Sequence, residues 1–456
     1  MNPSSSQPIA ILGAGLTGLS AAWHLTRAGR RVMVFEAGPA PGGVIRSERH
    51  PEGWLVESGP NSMQETPAIA EMVRALGLES VRQPAAPAAK NRYIVREGLL
   101  RALPGSPPGF LRSDLFTLRT KYLLLKELFR TKEPRLSDLP LADFFREHFG
   151  QELLDYALDP FVSGIYAGDP ARLSARHSFP ALWKAEQEHG SLIRGMIAAS
   201  REKRARGERS GPSPIISFTE GLASLPRALA AALPPESLRL GMPVHRISRS
   251  QDRWIVDAAP DLRFSHVIAA LPPSALVRLH IGSPGSQASL ASLDHLEQPP
   301  VTSLFLGYRR ADVSHPLDGF GALMPSKEKR SLLGVLFNST LFPGRAPAGH
   351  VALTVMLGGL RNRELAALPV EYQLPIIKRE LAALLGVKGD PVFVARSHWP
   401  RAIPQYQLQH DTHLEVIHSA EKRFLGLHIG GPVCDGIGLP ACVSAGERLA
   451  RTVLNS

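Results

Sequence analysis

Gly13, Gly15 and Gly18 stand in G-x-G-x-x-G order within "GAGLTG", and Glu36 closes the next apolar run. Gly13 permits a tight turn, Gly15 lets a pyrophosphate approach the backbone, and Gly18 lets a helix pack onto a sheet. Ala14, Leu16 and Thr17 fill the same turn, whose N–H groups carry the partial positive charge of a helix N-terminus. Glu36, with Ala37 beside it, can accept hydrogen bonds from both hydroxyls of a ribose. Together they read as a dinucleotide site rather than a chance glycine-rich turn.

A second group of residues narrows the ligand. Gly42, Gly43 and Val44 follow soon after Glu36, and Gly59, Pro60, Asn61 and Ser62 come next in "WLVESGPNSM". A nicotinamide enzyme needs no glycine pair here. A long FAD, threaded through the protein, needs the chain to approach it repeatedly, and glycines allow that. An ordinary surface turn is the plainer alternative for the pair taken alone. Near the other end, "LHIGGPVCDGIGLP" brings Gly430, Gly438, Leu439 and Pro440 into another turn before a helix.

No hydrolytic set accompanies them. The chain has no G-x-S-x-G elbow, no H-E-x-x-H and no supported Cys-His pair. His410, His413 and His418 read as surface histidines rather than metal ligands, and no metal is expected. Cys434 and Cys442 are too few for a disulfide framework, and Cys434 reads as a bystander. Where no side chain can carry a hard reaction step, a cofactor carries it.

These residues need a scaffold. "PIAIL", "LSAAWHLTRAG" and "RRVMVFEA" read as strand, helix and strand, the opening β-α-β unit of a doubly wound sheet. Helical patterns dominate from about 66 to 205, and "GPSPIISFTEGLASLPRALAAAL" reads as a turn entering a helix. Short strands occupy 238–272, and "YQLPIIKRELAALLG" is the clear helix within 276–400. "FLGLHIGG" supplies a late strand, with a helix starting at Leu439. The run "REKRARGERSG" at 201–211 reads as a solvated loop between domains.

A chain of 456 residues suits two or three domains, and its composition is that of a globular protein. The net charge of +11 admits nucleic acid, acidic lipid or an anionic substrate, but no zinc spacing or aromatic-basic signature supports nucleic acid. "MNPSSSQP" has no basic or apolar leader region, so a cytoplasmic location is expected. In "FLRSDLFTLRTKYLLLKELFR", Leu115, Leu118, Tyr122, Leu125 and Phe129 recur at helical spacing. Arg112, Arg119, Lys121, Lys126 and Arg130 form its basic side, so the segment suits either an anionic membrane surface or domain packing.

The sequence resembles the flavin amine oxidase superfamily through "GAGLTGLSAAWHL", "PGGVIRS" and "ESGPNSM". Within it, the chain is similar to the oxygen-dependent protoporphyrinogen oxidases. That likeness rests on 161–195, on "SFTEGLASLPRAL", on "SHWPRAIPQYQLQH" and on the glycine-rich tail. Relatives often carry Asn or a larger residue near Gly431 and Pro432, which puts local contacts there in doubt.

The resemblance implies an α/β fold. A discontinuous, doubly wound FAD-binding domain of GR2-type Rossmann class would span 1–80, 211–275 and 400–456. A mixed-sheet substrate domain would span 81–100, 165–210 and 276–399, and a helical, membrane-associating insertion would span 101–164. It further implies that Val244 meets the adenine, Ala270 lies near the pyrophosphate, Trp399 stands beside the flavin, and Arg92 pairs with a substrate propionate, with Asn61 as a second contact.

The implied activity is six-electron oxidation of protoporphyrinogen IX by O2, giving peroxide, with flavin N5 and no protein base doing the chemistry. A coproporphyrinogen oxidase, an amine oxidase or desaturase, and a non-catalytic flavoprotein stay open. The further expectations are peripheral contact with the inner face of the cell membrane, hand-over to a ferrochelatase, and a homodimer.

Overall fold

The structure, a computed structural model, describes residues 7–131, 133–206, 211, 213–283 and 286–456. Its first strand, β1 (Ile9–Leu12), is apolar and buried at every position, as a central strand of a parallel sheet must be. The chain then enters α1 (Leu16–Arg27) and returns as β2 (Val32–Phe35). Much later segments complete the sheet: β3 (Leu238–Arg239), β4 (Val267–Ala269) and β5 (Leu427–Ile429). The order is β3-β2-β1-β4-β5, and all pairs are parallel.

The final helix, α2 (Leu439–Leu454), lies against α1. Their approach depends on Gly446, where a Cβ would sit 2.6 Å from the Thr17 carbonyl oxygen. The Ser20 hydroxyl donates to the Val443 carbonyl at 3.0 Å across the same contact. Substituting Gly446 would therefore push the two helices apart.

A second, seven-stranded sheet runs in the order Phe393–Trp399, Val301–Arg309, His350–Gly358, Leu332–Leu336, Gly319–Leu323, Asn91–Arg96, Leu99–Ala102. It is antiparallel except where Gly319–Leu323 pairs with Asn91–Arg96. Helix Val370–Leu385 covers it through Ile377, Leu381 and Leu385, packed on Leu304, Leu306 and Leu353. The whole is a mixed α/β fold.

Several sequence expectations need correction. The helical stretch from 66 to 205 is interrupted by strands Arg82–Pro84, Asn91–Arg96 and Leu99–Ala102. Tyr93, Ile94 and Val95 favour the extended chain, and the large sheet gives them a pairing edge. The turn expected before Ser224 contains strand Ile215–Phe218, which pairs with Met63–Gln64 on one side and Arg82–Pro84 on the other. Of the basic run, 201–205 form the end of helix Leu192–Ala205 rather than a loop, and 207–210 lie outside the described residues. Leu115 is buried ahead of the helix it was expected to join, because Thr117 caps Leu118–Glu127 and starts it later.

The helices between Leu118 and Ala205 close around a buried charge cluster. His148 is fully buried, 3.0 Å from the Glu127 carboxylate and 2.9 Å from that of Glu186. Glu127 also accepts from the Ser191 hydroxyl and from the Leu192 and Ile193 N–H groups, which caps helix Leu192–Ala205. Arg135 donates to Glu186 at 2.7 Å. Burial pushes both carboxyls up, but these donors outweigh it, holding Glu127 below the usual range and Glu186 at about 2.

Carboxyls depressed on folding stabilise the native state above their unfolded pKa and lose that contribution as the pH falls through the folded value. The helical region should therefore loosen as acid takes the pH from about 4.5 towards 2, followed by Trp183 fluorescence. His148→Ala, which leaves two buried carboxylates facing each other, should cost about 3–5 kcal/mol in denaturant titration.

Candidate active site

The parallel sheet delivers the glycine turns to one place. Gly13 has φ +96°, a backbone that glycine tolerates and other residues resist. A Cβ there would meet the Ala270 carbonyl oxygen at 2.6 Å, so Ala270, leaving β4, packs directly on the turn leaving β1. A Cβ on Gly18 would lie 2.0 Å from the Gly13 oxygen, which locks α1 against its own turn. Gly15 is different: a Cβ there would meet nothing within 4 Å, so this glycine borders open space.

The second glycine pair packs on the first. The Gly42 N–H donates to the Ala14 carbonyl at 2.8 Å, and a Cβ on Gly43 would come 3.3 Å from the Gly15 Cα. Gly59 in turn lies under Val44, whose carbonyl oxygen would be 2.0 Å from an added Cβ. The Val44 side chain itself is exposed. Pro60, Asn61 and Ser62 continue from there, partly buried. Asn61 is held by the backbone of Gly59 at 3.2 Å and by the Asn338 amide, which donates to it at 2.6 Å.

Glu36 is anchored more tightly than its sequence position foretells. One carboxylate oxygen accepts from the Ala14 N–H and the other from the Gly38 N–H, each at 2.8 Å. Each oxygen keeps a free lone pair for a hydroxyl. Ala37 beside it is exposed. The Met242 and Gly241 N–H groups donate to the backbone of Glu36 and Gly38, and so draw Val244 towards this end of the site.

The late glycine-rich turn arrives from β5. The Gly430 N–H donates to the Ala269 carbonyl at 3.2 Å, and Gly431 faces the Thr17 hydroxyl. Asp435 accepts from the Gly431 N–H at 2.8 Å and is gripped by Arg448 at 2.8 Å. Gly438 then caps α2, which begins at Leu439 and Pro440.

Neither α1 nor α2 has a side-chain N-cap, and neither has an acidic residue in its first turn. Two sets of unsatisfied N–H groups therefore come together around Thr17, which also hydrogen-bonds Cys442 at the start of α2. This donor chemistry, with open space at Gly15, fits the phosphates and polar ring edge of a flavin dinucleotide.

Trp399 ends the edge strand of the large sheet. Its indole N–H donates to the Ser58 carbonyl at 2.9 Å, and the Arg46 guanidinium lies 5.5 Å from its ring. That places the sheet's edge beside the 59–62 segment. Arg92 stands apart on the same sheet, exposed, with its guanidinium 5.5 Å from the Phe320 ring. Among the described residues it forms no ion pair.

Among the histidines read as surface groups, His410 is buried, His413 half-buried and His418 exposed. His410 lies under Tyr406, where apolar packing displaces water. Burial pushes the Cys434 thiol up to about 12, so it stays protonated. Among the described residues no cluster of His, Cys, Asp or Glu could hold a metal. Sequence reasoning passed over Tyr406, Asp435 and Arg448. Only the aromatic within "PQYQLQH" and the acid within "PVCDG" signalled them.

Curated relatives match the whole chain. Protoporphyrinogen oxidase, mitochondrial, of Nicotiana tabacum is 33% identical, covering 99% of this chain and 95% of its own length. Protoporphyrinogen oxidase of Homo sapiens is 32% identical, covering 98% of each. A crystal structure of a protein provisionally named protoporphyrinogen oxidase, from Exiguobacterium sp. 255-15, superposes with TM-score 0.81 at 25% identity, covering 99% of this chain and 100% of the other. The family described as flavin containing amine oxidoreductase matches residues 16–454, and this chain belongs to it.

Proposed function

We propose that the protein is an FAD-dependent protoporphyrinogen oxidase, removing six electrons from protoporphyrinogen IX and passing them to O2 with release of peroxide. One observation carries the reading. Two helix N-termini without side-chain caps, led by Gly15 and Gly438, meet at Thr17 in a chain that aligns end to end with curated protoporphyrinogen oxidases.

Gly13–Gly18 and Gly42–Val44 would hold the pyrophosphate and ribityl chain, Glu36 a ribose, and Val244 the adenine. Gly59–Ser62, Trp399, Gly430 and Gly438–Pro440 would surround the ring system. This grouping supports a GR2-type Rossmann assignment for the parallel-sheet part. When bound, FAD supplies the hydride acceptor and the route to oxygen. The protein's own residues bind, orient and exclude water; no side chain is assigned as a base.

Arg92 would orient the substrate. Its guanidinium fork, free of an ion pair among the described residues, suits a propionate. Asn61 is less available, since its carbonyl oxygen already accepts from Asn338. Arg92→Ala should raise the KM for protoporphyrinogen about tenfold, the size of one charge-assisted pair, with flavin content unchanged. Loss of FAD in that variant would place Arg92 wrongly. Parallel turnover of protoporphyrinogen and coproporphyrinogen under air, read by porphyrin fluorescence, tests the substrate. Faster turnover of coproporphyrinogen would overturn the assignment.

The helical part would rest on a membrane surface. Leu118, Tyr122, Leu125 and Phe129 are 81%, 63%, 55% and 79% exposed, an apolar face left uncovered among the described residues. Of the five basic residues, Lys121 is spent on the Leu111 and Ser113 carbonyls and Arg130 pairs with Glu147. Arg112, Arg119 and Lys126, which form no ion pair among the described residues, would meet lipid headgroups. No described helix is long and apolar enough to cross a bilayer. Leu125→Glu with Phe129→Glu should abolish sedimentation with phosphatidylglycerol vesicles while turnover in detergent persists.

A further inference from the structure

The turn Pro432–Gly436, just ahead of α2, is spanned by one side chain from outside it. Tyr406 is buried, and its hydroxyl donates to the Pro432 carbonyl while accepting from the Gly436 N–H at 3.1 Å. One oxygen atom thus ties both ends of the turn. Asp435 and Arg448 clamp the same turn from its other side.

The ring of Tyr406 is itself fixed. It stacks on His410 at 4.2 Å between centroids, with 28° between the planes. Burial, then His177 and His413, lower His410 to about 4, so the stacking partner stays neutral across the physiological range. The Tyr406 carbonyl accepts from the Ser174 N–H at 2.8 Å and from the Ser178 hydroxyl at 3.3 Å. Next to it, the Gln405 amide donates to the Tyr166 carbonyl at 2.8 Å. Gly168 leaves room for that amide: a Cβ there would sit 2.4 Å from the Gln405 side-chain oxygen. Segment 166–178 therefore holds Tyr406 from behind, and Tyr406 holds the turn in front.

We propose that Tyr406 is a positioning residue for the flavin: its hydroxyl sets the Pro432–Gly436 turn and, through it, where the N–H groups that open α2 stand. This rests on the reading that FAD lies against the N-terminus of α2. Gly436, at φ +102°, is the pivot between turn and helix, with only Ile437 between it and the Gly438 cap. Unsatisfied N–H groups stabilise negative charge only at close range, so a small retreat of the turn weakens their hold on the reduced cofactor more than on the oxidised one.

The test is Tyr406→Phe in the FAD-loaded protein. The expected result is a folded, yellow protein with unchanged KM. Its preference for reduced over oxidised FAD should fall about tenfold, read as a two-electron midpoint potential lower by ~30 mV. p-Aminophenylalanine at 406 restores a polar para group and should give a smaller shift of the same sign. This keeps the test decisive should Tyr406→Phe fail to fold. A wild-type potential in either folded variant overturns the proposal.

Gly438→Ala separates this from the underlying reading. A methyl there meets only the Pro440 Cδ, at 3.8 Å, so the fold tolerates it while a bound ring would not. A silent Gly438→Ala overturns the flavin's placement at α2. A perturbed flavin in Gly438→Ala with a silent Tyr406→Phe overturns the role of Tyr406 alone.

Discussion

The contact between α1 and α2 is the constraint on which the rest of the structure depends. It requires Gly446, because any side chain there would strike the Thr17 carbonyl, and it joins residues 423 positions apart through Ser20 and Val443. Backbone brought this close leaves the two helix N-termini side by side, each led by glycine and each lacking a side chain to satisfy its N–H groups. An anionic, hydrogen-bonding ligand is the natural partner for such an arrangement. The parallel sheet beneath fixes the heights of the turns, since Gly13, Ala270 and Gly430 all leave strand ends on the same edge.

Charge is handled differently in each part of the molecule. In the helical region, His148 lies between Glu127 and Glu186, and Arg135, Ser191 and two backbone N–H groups donate to them, so the buried carboxylates are hydrogen-bonded. Near the glycine turns, Glu57 and Arg345 are buried together at 3.3 Å, and burial pushes the Glu57 carboxyl up to about 7 against the pull of Arg345. At the apolar outer face of Leu118–Glu127, Lys121 is held by the Leu111 and Ser113 carbonyls, while Arg119 and Lys126 form no ion pair among the described residues. Closed ion clusters give rigidity to the region that presents that face, and the unpaired cations around it leave its electrostatics to whatever it meets.

Much of this was legible in the sequence because glycine positions carry geometric meaning. Gly13, Gly18, Gly42, Gly43 and Gly59 sit where a positive φ or a close approach demands one, Gly15 and Gly438 border open space instead, and the strand–helix–strand order around Glu36 followed from local periodicity. Strand Ile215–Phe218 was not legible, because its pairing partners lie far away in sequence and its own run is short. Leu115 was misplaced because helical spacing continues through it, whereas the cap at Thr117 decides where the helix starts. His410 was read as exposed because nothing local reveals that Tyr406 covers it. The double anchoring of Glu36 depends on the Ala14 and Gly38 backbone, which no residue type announces.

The lateness of β5 and α2 has a consequence for how the protein matures. Its central sheet lacks its edge strand, and α1 lacks its partner, until residues 427–454 have been made. Closing a loop of that length is a slow, non-local event. Until then the glycine turns at the ends of β1 and β4 stay open on one side. The junction around Thr17 therefore closes only in a chain that has paired residues 427–454 with its own beginning.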